Sequence, residues 1–480
     1  VLLNYQYRAY PNTTQKLELN YWRRLAQYWY NWQLGERFQW WQQNRCALNS
    51  CPLICHLPEL KDNPNYYSQK KLLPGKKKDL ALVYHSGELL DFTRLPSQTL
   101  QEVCDRTKKA FERFVKGDSN GKRSGKPRFK NAAQYRTLKV EGQAITIERI
   151  DRRWLWISFS KFPGWLKIRL HRPLPDGFKL INVLVTKKAD GWYASLVLED
   201  KNIPTFNHDE IVPTWGNSIG IDAVLHEDDY LATSDNIKLP SLKSFRKSQS
   251  RLAKVSKRKA LKKKGSKSRR LLAKRESREH QRIARARKDH AYNTAHELVC
   301  SGKYVFFYED LRLLNLTKRN KAKQDKDGKY LPNGQFAKSG LNKSWQDAAF
   351  GQFFSVLDYI ASKAGAVTRK CNPAYTSQLL SYRDEFVFTD CGIREWYDEK
   401  ENLLVERDVN SAVNLKRVGL GMFPTIKRRR GNPVVVDSIT NSTSKEVHRI
   451  FAEPEAHTVI YDSVWEMSRL GLDYTGISQG

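Results

Sequence analysis

Residues 251–288 carry 18 Lys/Arg against 2 Glu, and a block charged in this way cannot enter an apolar core. Ala284, Ala291, Ala295 and Leu298 give its later part and the residues beyond an apolar stripe. The stretch is therefore expected to form long helices held on a core by one face, with the other face against phosphates. The whole chain shares the bias: 84 basic and 51 acidic residues leave +33 over 480 residues. A compact chain with that charge repels itself unless a polyanion neutralises it, so a nucleic-acid partner is expected. A membrane surface also attracts such a chain, but the sequence has no run of 18 apolar residues, no signal peptide and no lipidation signal. It reads as soluble and cytoplasmic, nucleoid-associated when bound to DNA. It opens on Val1 rather than Met, so at least one preceding residue is expected to be missing.

The length exceeds one ordinary core and predicts two or three domains. Seven cysteines, an odd number, do not make a disulfide framework and read as reduced thiols. Cys46, Cys51, Cys55 and His56 cluster locally, but their spacing matches no paired C-x2-C arrangement, and they read as a structural loop.

Residues 1–10 read as a strand. Asn12 followed by Gln15 signals a helix start, and Trp22, Leu25, Trp29 and Trp32 then recur at helical spacing as core. A second helical stretch runs over 97–116, followed by a Gly/Lys/Ser linker at 117–126. From about 131 to 200 the period becomes two, with Leu166, Ile168 and Leu170 alternating with Lys167, Arg169 and His171, which predicts a β domain with one wet face. A strand at the N-terminus can pair with it, making 12–125 an insertion. Residues 318–345 show no period and read as a mobile loop; Lys427–Arg430 opens a tail without pattern.

Three acids stand in telling contexts. Asp222 ends the run Ser218–Ile219–Gly220–Ile221, and Glu309 ends the run Tyr304–Val305–Phe306–Phe307–Tyr308. Asp408 lies in the first turn of a predicted helix through Leu415. Carboxylates at strand ends and at a helix start, aimed to one side of a sheet, describe an RNase H-like metal site. Phosphodiester hydrolysis needs an activated water and a stabilised leaving alkoxide. Two Mg²⁺ ions about 4 Å apart supply both when hard oxygen ligands hold them. Asp222 is expected to bridge both ions, with Glu309 and Asp408 each holding one.

At these residues the chain resembles TnpB, the insertion-sequence-encoded RNA-guided nuclease family related to the type V CRISPR effectors. Ser218–Asp222, Tyr308–Leu311 and Glu406–Ala412 look like its three RuvC motifs, and Gly125–Lys130 and Pro96–Leu100 are similar to its β-domain and helical regions. The resemblance covers roughly residues 1–425. It implies an α+β multidomain fold: a helical recognition domain (11–125) inserted in a β-barrel wedge domain (1–10 and 126–212), then a RuvC/RNase H-like α/β nuclease domain (213–370) with a basic helical hairpin at 243–300. A degenerate zinc-ribbon-like lobe (371–405), a last RuvC helix (406–425) and a tail (426–480) complete it. It also implies a guide RNA, double-stranded target DNA beside a short target-adjacent motif, and one protein copy per RNA.

The family usually carries two C-x2-C pairs before its third motif. Here Leu380 and Arg383 stand where the first pair falls, and Phe388 and Cys391 in the place of the second, so no zinc is expected and Phe386, Phe388 and Trp396 are expected to pack the lobe. Candidate phosphate contacts are Lys126, Arg128 and Lys130, with Lys262, Lys263, Lys264, Arg269 and Arg270. The function expected is guided DNA cleavage, with base pairing supplying sequence discrimination. The alternatives are a guided binder without cleavage, a strand-transferring transposase, and a compact type V effector.

Overall fold

The computed structural model describes residues 2–45, 62–199, 206, 210–437 and 444–452, apart from residues 79, 84–86, 119, 120, 122, 227, 391, 430 and 431. It forms two units, Val1–Pro204 and Thr205–Gly480. The cluster Cys46, Cys51, Cys55 and His56, Cys391, and the tail beyond 452 lie outside the described residues.

In the first unit β1 (Leu2–Tyr10) leads into α1 (Thr13–Arg45) and, later, α2 (Ser97–Val115). Six strands follow: β2 (Thr137–Glu141), β3 (Ile145–Ile150), β4 (Trp154–Phe159), β5 (Leu166–Arg169), β6 (Lys179–Lys188) and β7 (Gly191–Glu199). They form one curled antiparallel sheet in the order β2-β6-β7-β1-β5-β4-β3. The N-terminal strand is thus central, with Tyr7 opposite Ala194 and Ala9 opposite Ile168. Asn12 and Gln15 cap α1 reciprocally: the Gln15 amide donates to Asn12 Oδ1 (2.8 Å) and the Asn12 amide to Gln15 Oε1 (3.1 Å). Trp22, Leu25 and Trp29 are buried in a core shared with Leu100 and Val103 of α2.

The second unit is built on β8 (Ser218–Ala223), β9 (Asp229–Thr233), β10 (Lys238–Pro240), β11 (Val305–Glu309) and β12 (Val367–Cys371), in the order β10-β9-β8-β11-β12. β8, β11 and β12 run parallel. Between β10 and β11 stand α3 (Ser244–Ala260) and α4 (Lys267–Val299). Between β11 and β12 stand α5 (Gln335–Ala348) and α6 (Phe350–Lys363). The hairpin β13 (Glu395–Asp398) and β14 (Leu403–Glu406) leads into α7 (Arg407–Gly419).

Strand alternation decides which helices cover which face. Ile219, Ile221, Phe306 and Tyr308 share a core with Ala295 and Leu298 of α4 and Phe353 and Leu357 of α6. The intervening residues face α7: a Cβ on Gly220 would stand 2.0 Å from the Ala412 carbonyl oxygen, and one on Gly419 would stand 2.2 Å from Cδ1 of Phe307. Lys416 is buried on this side, 4.3 Å from the Trp215 ring centroid and 3.9 Å from Asp235, and burial pulls its pKa down to about 8.

Residues 335–348 are helical rather than part of a mobile loop, because tertiary contacts supply what local periodicity lacks. Asp347 of α5 accepts from the backbone amides of Phe245 (2.8 Å) and Arg246 (2.9 Å), capping α3, and pairs with Arg287 of α4 at 2.9 Å. The Arg246 guanidinium in turn donates to Gly340 O and Ser344 Oγ. The start of the tail also has structure: strands Thr425–Arg429 and Asn432–Asp437 pair, and Ser444–Ala452 is a helix whose Val447 and Ile450 are buried.

Gly220→Ala drives a methyl group into a backbone carbonyl that cannot yield without lifting α7. It is expected to cost at least about 3 kcal/mol, whereas Gly216→Ala, with nothing within 4 Å, should stay within about 0.5 kcal/mol. Urea denaturation of both variants checks this.

Candidate functional site

The pairing of β8 with β11 places Ile221 opposite Tyr308, so Asp222 and Glu309 follow side by side at the carboxyl ends of adjacent parallel strands. α7 brings Asp408 in its first turn and Ser411 one turn on, where the Ser411 hydroxyl donates to Asp222 Oδ1 at 3.0 Å. All three acids read from the sequence therefore meet at one end of the sheet. Burial, and then the Asp408 charge, push the Asp222 carboxyl up to about 6. Burial and then the Asp222 charge push Glu309 well above the usual carboxylate range. A side-chain hydrogen bond joins the two, with a protonated Glu309 as its donor.

Two arginines missed in the sequence complete the site. Arg394, just before β13, donates to both oxygens of Asp408 (3.2 and 3.0 Å), and Arg407 donates to Oδ1 at 3.2 Å. Arg407 had a local signal as the neighbour of an acid; Arg394 had none, because the hairpin that returns it was invisible. The donor set is hard oxygen, and burial and mutual repulsion raise Asp222 and Glu309 in the absence of a cation, so it fits a divalent cation in chemistry and charge. Among the described residues no three His, Cys, Asp or Glu side chains already stand as a metal cage. Both Asp408 oxygens are taken by arginine.

The hairpin lobe is held by Arg383, which pairs with buried Asp398 at 2.8 Å while the Tyr382 hydroxyl donates to the same carboxylate at 2.7 Å. Leu380 and Phe388 are buried, Trp396 packs on their cluster, and Phe386 lies half-buried against Tyr375.

The predicted phosphate contacts fall into two groups. Arg269 is occupied: its guanidinium donates to the carbonyls of Lys262 (2.8 Å) and Lys259 (3.1 Å), closing the turn between α3 and α4. Lys262, Lys263 and Lys264 are exposed on that turn, and Arg270 lies just beyond it. In the other unit, Lys126 lies over Phe38 (4.4 Å) and Lys130 over Tyr30 (4.4 Å), while Arg128 is exposed. A second cationic surface went unread. On the outward face of the curled sheet, Arg8 stands opposite Tyr193 and Arg169, Lys167 opposite Tyr10 and Trp156, and Arg149 opposite Trp156. Lys167 lies 4.0 Å from the Trp154 ring centroid and Arg149 5.3 Å from that of Trp156. Its signal was the identity of residues in β4 and β5, where Trp154, Trp156, Lys167 and Arg169 alternate with the buried Leu155, Ile157, Leu166 and Ile168.

Comparison with known proteins gives three family matches. The OrfB_IS605 model, a probable transposase, matches residues 202–320; a Cas12f1-like TNB domain matches 350–415; and the OrfB_IS605 helix-turn-helix domain matches 1–46. These matches agree with the resemblance to TnpB read from the motifs. In this chain, residues 2–45 are a strand and one long helix rather than a helix-turn-helix. A putative RNA-guided DNA endonuclease, InsQ, of Escherichia coli (strain K12) is 25% identical over 397 residues, covering 78% of this chain and 89% of that protein. Among solved structures, the Cas12f1–sgRNA–target DNA complex is 15% identical, covers 88% of this chain and all of that one, and has a TM-score of 0.29. The mini-RNA-guided endonuclease CRISPR-Cas_phi3 is 11% identical, with coverage of 62% and 64% and a TM-score of 0.33.

The Asp222 carboxyl, raised from 3.8 to about 6, makes the cluster's contribution to stability full below about pH 4, and that contribution is lost as the pH rises from there through about 6. In metal-free protein at pH 7.5, Asp222→Asn is expected to raise the melting temperature by about 2–6 °C. Mg²⁺ should raise that of the wild type more at pH 7.5 than at pH 5, since its ligands must lose protons. Thermal melts at the two pH values with and without Mg²⁺ check both.

Proposed function

We propose that this chain is an RNA-guided DNA endonuclease, and the observation that carries the reading is the convergence of Asp222, Glu309 and Asp408 at one end of the sheet. Asp222, Glu309 and Asp408 would hold two Mg²⁺ ions. Bound there, the metal supplies an activated water and stabilises the leaving oxygen. Glu309 and Asp222 give up their shared proton as the site fills. Ser411 keeps Asp222 oriented, and Arg394 and Arg407 are the cations held against Asp408. No zinc takes part: Arg383 and Asp398 hold the lobe by an ion pair, with Phe388 and Trp396 packed beside it.

In this assignment 11–125 is the recognition domain, 1–10 with 126–212 the wedge domain, 213–370 with 406–425 the nuclease, and 371–405 its lobe. The hairpin of α3 and α4, and the aromatic–cation face of the curled sheet, contact the guide RNA through phosphates and stacked bases. Base pairing reads the target, and the protein reads a short adjacent motif on the duplex. One copy binds each RNA, in the cytoplasm, on the nucleoid once DNA is bound. A second reading has a specific observation behind it: arginine on both oxygens of Asp408 also suits a guided binder that does not cut.

Expression with the flanking genomic DNA, sequencing of the co-purifying RNA, and cleavage of a plasmid library with a matched target beside randomised bases test the reading. One structured RNA should appear, and cutting should need Mg²⁺, stop with EDTA, and fall at least about 10³-fold in Asp222→Ala or Glu309→Ala. RNA and target binding without cutting by the wild type supports the binder instead; absence of RNA removes the guided mechanism.

A further inference from the structure

The first unit contains a recess of about 470 Å³ between the later half of α1 and the extended segment 126–129. Its size lies in the range of roughly 300–1,000 Å³ usual for small-ligand sites, enough for one nucleotide and too small for a duplex. Its chemistry is sorted. Phe38, buried in the core, supports the exposed ring of Phe129 in a T-shaped contact, with centroids 5.8 Å apart. Gln39 and Gln42, at helical spacing i, i+3 on α1, turn exposed carboxamides to one wall, and neither has a hydrogen-bond partner among the described residues. Lys126 and Arg128 also line it, and among the described residues no carboxylate lines the space.

We propose that this recess is a binding site for one unpaired nucleotide. A base lies on Phe129, Gln39 and Gln42 present donor and acceptor to its edge, and Lys126 and Arg128 meet its phosphate. An aromatic ring left exposed against a supporting ring, two idle amides and two cations match base and phosphate at once; a peptide or an inorganic anion uses only part of the set. The site shares no residue with the carboxylate cluster, and it deepens the guided-nuclease reading, on which it rests.

Gly35 provides the decisive variant. A Cβ there meets only Phe129 Cε1, at 3.9 Å, so the larger side chain of Gly35→Leu grows into the recess, while leucine favours the helix that glycine weakens. The full chain is titrated with short fluorescent single-stranded RNA and DNA oligonucleotides, and with a duplex of the same sequence, over a series of salt concentrations. Gly35→Leu and Phe129→Ala should each weaken one single-stranded probe about tenfold with no change in salt slope, and leave the duplex untouched. Lys126→Ala or Arg128→Ala should lower the slope by about 1. Loss confined to RNA assigns the nucleotide to the RNA, and loss confined to DNA assigns it to a DNA strand. Binding of both single strands by Gly35→Leu and Phe129→Ala within twofold of wild type, or equal weakening of the duplex, overturns the proposal. A wild type that binds no probe overturns the guided-nuclease reading as well, which separates the two failures.

Discussion

At Gly220 the backbone of α7 rests directly on the backbone of β8, and the geometry of the carboxylate cluster follows from that contact. The helix can come this close because neither partner puts a side chain between them: Gly220 has none, and the Ala412 carbonyl lies where a Cβ would sit. Asp408, Ser411, Ala412, Leu415 and Gly419 recur at helical spacing, so one stripe of α7 both touches the sheet and carries the acid. Gly419, two turns beyond Ala412, admits the Phe307 ring at the far end of that stripe. With both ends of the helix seated, the distance of Asp408 from Asp222 is set by packing rather than by attraction, which between like charges is absent.

Packing three acids together has an electrostatic cost, and the chain offsets it in two ways. Asp222 and Glu309 retain a proton near neutral pH, and Asp408 is answered by Arg394 and Arg407. The arginines tie the cluster to the hairpin lobe, because Arg394 precedes β13 and its carbonyl accepts from the Arg407 amide at 2.8 Å. Any cation that takes over Asp408 frees Arg394, so the state of the acids and the position of the lobe's first strand are linked through one guanidinium.

What was legible in the sequence follows the range of the interactions. The alternation at Leu166–Leu170 and the helical spacing of Trp22, Leu25 and Trp29 are local patterns, and the strands and helices they predict are present. The three acids could be picked out because each ends or begins an element, where a buried carboxylate has no packing reason to be. Helix α5 was not legible, since its contacts are made with α3, roughly a hundred residues earlier in sequence, and with α4, 60 residues earlier. Arg394 was hidden for the same reason, and the cations of the curled sheet became a surface only once strand register set Lys167 between Tyr10 and Trp156.

The basic block is fixed in shape by the chain itself. Its two glutamates are both used inside the hairpin, Glu276 with Lys259 and Glu279 with Arg251 at 2.8 Å, each joining α4 to α3. Arg269 closes the turn from within, and Leu252, Val255 and Ile283 are buried. The hairpin's shape is therefore fixed by the chain alone. Its charge is not, because two glutamates stand against 18 lysines and arginines within the block. Such a surface is stable in form and unsatisfied in field, which favours a polyanion binding to preformed helices over one that must order the segment, and spares the entropy that a disordered basic tail would lose on binding.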